Sequence, residues 1–66
     1  MKPIEFLKPM SQRERADFAK KIGTTLGYLN LVRGGHRRLG PNLARRFVSA
    51  ADGQVSLLEA RPDIWG

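Results

Sequence analysis

The sequence predicts an all-α, compact fold of four to five short helices. Three observations carry that expectation. Apolar residues recur at helical spacing, Ser-x-x-Glu cap signals stand ahead of two apolar runs (Ser11 with Glu14, Ser56 with Glu59), and glycines follow the runs at Gly23, Gly34, Gly35 and Gly53. With 66 residues the chain forms one small domain, residues 1–66, able to bury only roughly 60% of its unfolded surface. No enclosed catalytic cavity fits inside, so function is expected on the exterior.

Each element has a local cause. Pro3 suits the first turn of a brief opening helix carrying Ile4, Phe6 and Leu7, and Pro9 ends it. Ser11 and Glu14 form a capping box that starts a second helix. In it Arg15, Phe18, Ala19 and Ile22 share one face, Asp17, Lys20 and Lys21 point away, and Gly23 closes the helix in a left-handed conformation. Thr24 or Thr25 caps a third helix that runs to about Arg33, where Gly34 and Gly35 stop it. Gly40 and Pro41 begin a fourth, with Leu43, Ala44, Phe47 and Ala51 as its apolar stripe, Arg45 and Arg46 outside, and Gly53 at its end. Ser56 and Glu59 suggest one last turn around Leu57 and Leu58, followed by an irregular tail from Arg61 to Trp65. The alternative at Val55 is the start of an edge strand.

Composition narrows the function. The chain has no cysteine and no long apolar run, which excludes a disulfide framework, a Cys-rich zinc site and a membrane span. The start, MKPIEFLKPM, is interrupted by Glu5, Lys8 and two prolines and reads as mature protein, so a cytoplasmic location is expected. His36 is the sole histidine; no partnered nucleophile, carboxylate pair, phosphate-loop pattern or metal cluster accompanies it. Neither an enzyme nor a cofactor is expected. The net charge is +6, and its distribution is more informative than its size: no acidic residue lies between Asp17 and Asp52, whereas Lys20, Lys21, Arg33, Arg37, Arg38, Arg45 and Arg46 all do. That segregation favours a polyanionic partner over a merely solvated surface.

Helices two and three, joined by a short glycine-containing turn, have the pattern of a helix-turn-helix over about residues 15–34, in which the second helix enters the major groove of DNA. Ala19 is the small residue where the helices touch, Gly23 the turn glycine, Leu29 and Val32 the anchors of the second helix. At 100° per residue these anchors leave Leu26, Gly27, Asn30, Leu31 and Gly34 on the opposite, base-facing side of the helix spanning residues 25–33. Asn30 can make a bidentate contact to adenine, Leu26 and Leu31 can meet thymine methyls, and Gly27 permits close approach. The two leucines have a second reading, packing against another helix or a dimer partner.

Phosphate contacts are expected from Thr25, Tyr28 and Arg33 around that face, from Gly35, His36, Arg37 and Arg38 in the following loop, and from Asn42 at the start of the fourth helix, where backbone N–H groups lack partners. Lys20, Lys21, Arg45 and Arg46 are either additional phosphate contacts or solvated cations. Leu58, Ile64 and Trp65 either cover the small core or form a dimer contact.

Residues Ser11 to Trp65 resemble the YdaS-type branch of the Cro/repressor helix-turn-helix regulators, through GTTLGYLN, GGHRR, the helix start PNLARR and the terminal RPDIW. The resemblance implies a Cro/repressor-like domain of four or five helices, a phage-type repressor that binds double-stranded operator DNA, and a weak homodimer on two half-sites. Leu31 departs from the polar residue usual at its position. Two other readings remain: an antitoxin that also binds a toxin protein, and a nonspecific basic module for nucleic acid or protein.

Overall fold

The computed structural model describes residues 1–65, and among them six helices and no strand are found. They are α1 (Pro3–Leu7), α2 (Gln12–Ile22), α3 (Leu26–Arg33), α4 (Pro41–Ala50), α5 (Leu57–Ala60) and α6 (Pro62–Trp65). The cap signals explain where half of them begin. Ser11 Oγ accepts from the Glu14 N–H at 3.1 Å while the Glu14 carboxylate accepts from the Ser11 N–H at 2.9 Å. Ser56 and Glu59 repeat the arrangement ahead of α5. Of the two candidate threonines, Thr25 caps α3, its Oγ1 accepting from the Tyr28 N–H at 3.1 Å.

Two helices close through the same left-handed device. Gly23 has φ +79°, and the Thr24 N–H reaches back to the Ala19 carbonyl at 2.8 Å. Gly35 has φ +80°, and the His36 N–H donates to the Leu31 carbonyl at 2.8 Å. In both, a residue without Cβ takes a backbone conformation costly to others, and carbonyls orphaned at the helix end gain donors.

The core is built from Leu7, Phe18, Ala19, Ile22, Leu29, Val32, Leu39, Ala44, Phe47, Ala51 and Val55. At its centre three rings meet: Phe6, Phe18 and Phe47, with centroids 4.9–5.5 Å apart in tilted or edge-on geometry, the arrangement that ring quadrupoles favour. They join α1, α2 and α4, and α3 packs against α1 and α2 through Leu29 and Val32.

One expectation is corrected, and one alternative falls away. The stretch after Arg61 is a short helix and not an irregular tail, because Arg61 organises it: its Nε and Nη2 grip the Asp63 carboxylate at 2.8 and 2.6 Å, and its Nη1 donates to the Leu39 carbonyl at 2.7 Å. Val55 begins no strand; its side chain is buried in the loop before α5. Leu39 is the largest core residue outside any helix and lies within the basic segment GGHRRLG.

Leu39→Ala should therefore lower unfolding free energy by about 2–5 kcal/mol, whereas Leu58→Ala, at a position 51% exposed, should change it by less than about 0.5 kcal/mol. Urea denaturation followed by circular dichroism measures both.

Candidate nucleic-acid interface

Burying Leu29 and Val32 turns the other side of α3 outward. Gly27, Asn30, Leu31 and Gly34 are exposed, Leu31 at 42%, and Leu26 is half-buried. The helix thus presents a nearly uncharged face with one amide, Asn30, and its only cation, Arg33, at the C-terminal end.

Gly27 has no structural cause inside the fold. It lies in regular helix, and a Cβ built on it would meet nothing nearer than Thr25 Oγ1 at 4.0 Å. It is the second helical residue, where the cost relative to alanine stays below the roughly 0.5–1 kcal/mol of a helix interior. Gly34 differs, since a Cβ there would come within 2.9 Å of the His36 ring.

The loop after α3 carries His36, Arg37 and Arg38, all exposed, and it is held at its far end. Leu39 inserts into the core, the Tyr28 hydroxyl donates to the Arg38 carbonyl at 2.5 Å, and Arg61 donates to the Leu39 carbonyl. Three attachments at two adjacent residues thereby fix where the cations leave the surface. The Arg38 guanidinium stays open to solvent, its nearest acid Asp63 at 3.6 Å. Tyr28 uses its hydroxyl proton inside the fold, so only its oxygen lone pairs face outward. Thr25 Oγ1 accepts its cap bond and retains its proton for an outside acceptor.

Beyond the loop, α4 begins at Gly40 and Pro41 with no side-chain cap. Its first residues and the exposed Asn42, with Arg46 of the same helix, border a shallow groove that Thr24 and Tyr28 also line. Lys21, Arg45 and Arg46 line a second shallow groove between α2 and α4. Arg45 also stacks over the Trp65 ring, 5.7 Å from its centroid. Trp65 is half-buried and packs on the core, while Leu58 and Ile64 are exposed. No group of metal-ligating side chains occurs among the described residues, and no helix there is long and apolar enough to cross a membrane.

One contact lay beyond sequence reasoning. Arg15, placed by spacing on the apolar face of α2, is half-buried, and its guanidinium emerges beside α3: Nε donates to Asn30 Oδ1 at 3.0 Å and Nη1 to the Met10 carbonyl at 2.5 Å. Its position on the apolar side of α2 was the available signal, but helical periodicity does not say which residue of the next helix it meets.

Fold and surface together define a small all-helical protein with a basic loop beside an uncharged helix face. The chain is 30% identical over 56 residues to a prophage transcriptional regulatory protein of Escherichia coli (strain K12), covering 85% of each chain, and it belongs to that regulator's family. No family model matches the chain, and no solved structure matches it.

The acid pair at the loop has a pH signature. Asp63 is lowered to about 2, first by its hydrogen bonds from Arg61 and further by the charges of Arg61 and Arg38. A carboxylate with a depressed folded pKa contributes stability that is complete above its unfolded value, about 4, and is lost as pH falls through the folded one. Wild type should therefore lose more thermal stability between pH 4 and pH 2 than Asp63→Asn does, as read from melting curves at each pH.

Proposed function

We propose that this protein is a transcriptional regulator that binds double-stranded operator DNA in a sequence-selective way, as a phage-type repressor of the Cro class. In this reading residues 15–34 act as a helix-turn-helix within a single domain, and α3 lies in the major groove. Leu26, Gly27, Asn30 and Leu31 face base edges. Thr25, Arg33, Gly35, His36, Arg37, Arg38 and the N-terminus of α4 at Asn42 meet phosphates, and Tyr28 acts from behind by tethering the loop. Membership of a family with a prophage transcriptional regulatory protein supports the regulatory role.

The observation that carries the proposal is Gly27. A glycine in the first turn of the helix, with open space around it, gives up helix propensity and relieves no internal clash. A surface that must approach closely supplies the reason, and the cations that follow it, Arg33, Arg37 and Arg38, make a nucleic acid its natural complement. An uncharged helix face followed by a basic loop also fits the division of work in a DNA interface, where phosphates position and bases specify. Two copies on a two-fold operator would place half-sites roughly one helical turn apart, with Leu58 and Ile64 as the exposed apolar contacts between copies.

Binding of selected and random duplexes across a salt series tests the reading. Selected duplexes should bind more tightly at every salt concentration, and equal affinity for both would leave only nonspecific polyanion binding. Gly27→Ala should raise folding stability by up to about 0.5 kcal/mol, below the helix-interior value, yet weaken selected-duplex binding roughly tenfold, the scale of one lost base contact. Arg38→Ala should weaken all duplexes alike and lower the salt slope by about one, whereas Asn30→Ala should relax preference at one base pair.

A further inference from the structure

Arg15 is spent on neither the core nor an ion pair. Its stem lies on the buried side of α2, and its head bridges two acceptors, the Met10 carbonyl and Asn30 Oδ1. Those bonds join the entry of α2 to the middle of the outward face of α3. No acidic side chain forms a salt bridge with Arg15 among the described residues.

The chemistry of the contact is one-directional. A guanidinium has five donors and no acceptor, so the amide of Asn30 must turn its oxygen toward Arg15 and its NH2 group away. That orientation follows from the partner and does not depend on telling oxygen from nitrogen by position. A bidentate contact to adenine needs the same oxygen to accept from the base's N6 amino group while Nδ2 donates to N7. With Arg15 in place, one lone pair of Oδ1 is occupied and the other stands beside a positive charge, which repels a second donor. Guanine offers two adjacent acceptors, O6 and N7, and no donor on its major-groove edge apart from its pairing partner's amino group. The Asn30 NH2 group and the remaining guanidinium N–H groups are complementary to that edge.

We propose that Arg15 is a specificity-determining residue, which by holding the Asn30 amide oxygen makes the Arg15–Asn30 pair prefer guanine over adenine at the base pair beneath it. The proposal rests on the DNA-binding reading above and replaces the adenine contact expected for an unrestrained asparagine. Arg15 acts by orienting Asn30 and by adding charge beside it, so a change at Arg15 should alter which base is chosen and not merely how tightly DNA is held.

Selection of bound duplexes from a random pool, carried out with wild type, Asn30→Ala, Arg15→Met and Arg15→Lys, tests this. The position at which Asn30→Ala loses preference defines the base pair concerned. Wild type should select guanine there. Arg15→Met keeps the apolar stem and frees the amide, and it should move the guanine-to-adenine ratio at that position toward adenine by about tenfold or more, leaving the other positions unchanged. Arg15→Lys cannot bridge both acceptors with one short point charge; it should shift the ratio the same way by less, and it supplies the comparison if Arg15→Met fails to fold in a circular dichroism melt. An unchanged ratio in a folded Arg15 variant, adenine at that position in wild type, or preference lost evenly across the whole site would each overturn the proposal. A wild type that selects no sequence would instead overturn the DNA-binding reading itself, and this inference with it.

Discussion

The meeting of Phe6, Phe18 and Phe47 is the interaction on which the remaining architecture rests, because it gathers three helices that come from well-separated parts of a short chain. Helices of five to eleven residues, like α1, α2 and α4, are marginal in isolation. They persist because each contributes a ring or an aliphatic side chain to one shared interior. α3 is the most dependent of these elements: eight residues long, with a glycine inside and only Leu29 and Val32 fully buried, it is stable to the extent that α1 and α2 hold it. The surface offered to a partner is therefore set by the core behind it.

A second constraint acts on the basic loop. A segment containing His36, Arg37 and Arg38 would be free to sample many positions if it were only a solvated connection. Leu39 prevents that by entering the core, and the carbonyls of Arg38 and Leu39 are taken up by Tyr28 and Arg61. The C-terminal residues thus do more than cover apolar surface. Arg61 connects the last turn to the loop, Asp63 neutralises it, and Met1 and Glu59 bring the chain's beginning to the same side through the N-terminal ammonium. Positive charge is thereby presented from a fixed backbone, which lowers the entropy lost when an anion is bound.

Much of the fold could be read along the chain because its signals are local. The capping boxes at Ser11 and Ser56, the threonine cap at Thr25 and the left-handed glycine at Gly23 each involve residues within a few positions of one another, and each occurs where spacing placed it. The outward face of α3 was legible for a related reason: two buried anchors and a period of 3.6 determine the opposite side. Arg61 was not legible as an organiser, since its partners include a carbonyl 22 residues earlier. A tail judged on its proline alone looked irregular, but one tertiary hydrogen bond and a forked carboxylate made it helical. Leu39 was hidden in the same way, as a lone apolar residue among cations, with no periodicity to mark it as buried.

The positions of α1 to α5, the cationic middle of the chain and the choice of an uncharged face on α3 follow from neighbouring residues, for backbone hydrogen bonding and side-chain periodicity act over one or two turns. What tertiary packing alone decided is which groups from distant turns share a place: Arg15 against Asn30, Tyr28 against Arg38, Arg61 against Leu39. Those pairings depend on how helices cross and how a loop returns, and many arrangements share one helical pattern. They also carry the finer chemistry, because the side an amide turns outward is set by the donor that packing brings to its oxygen.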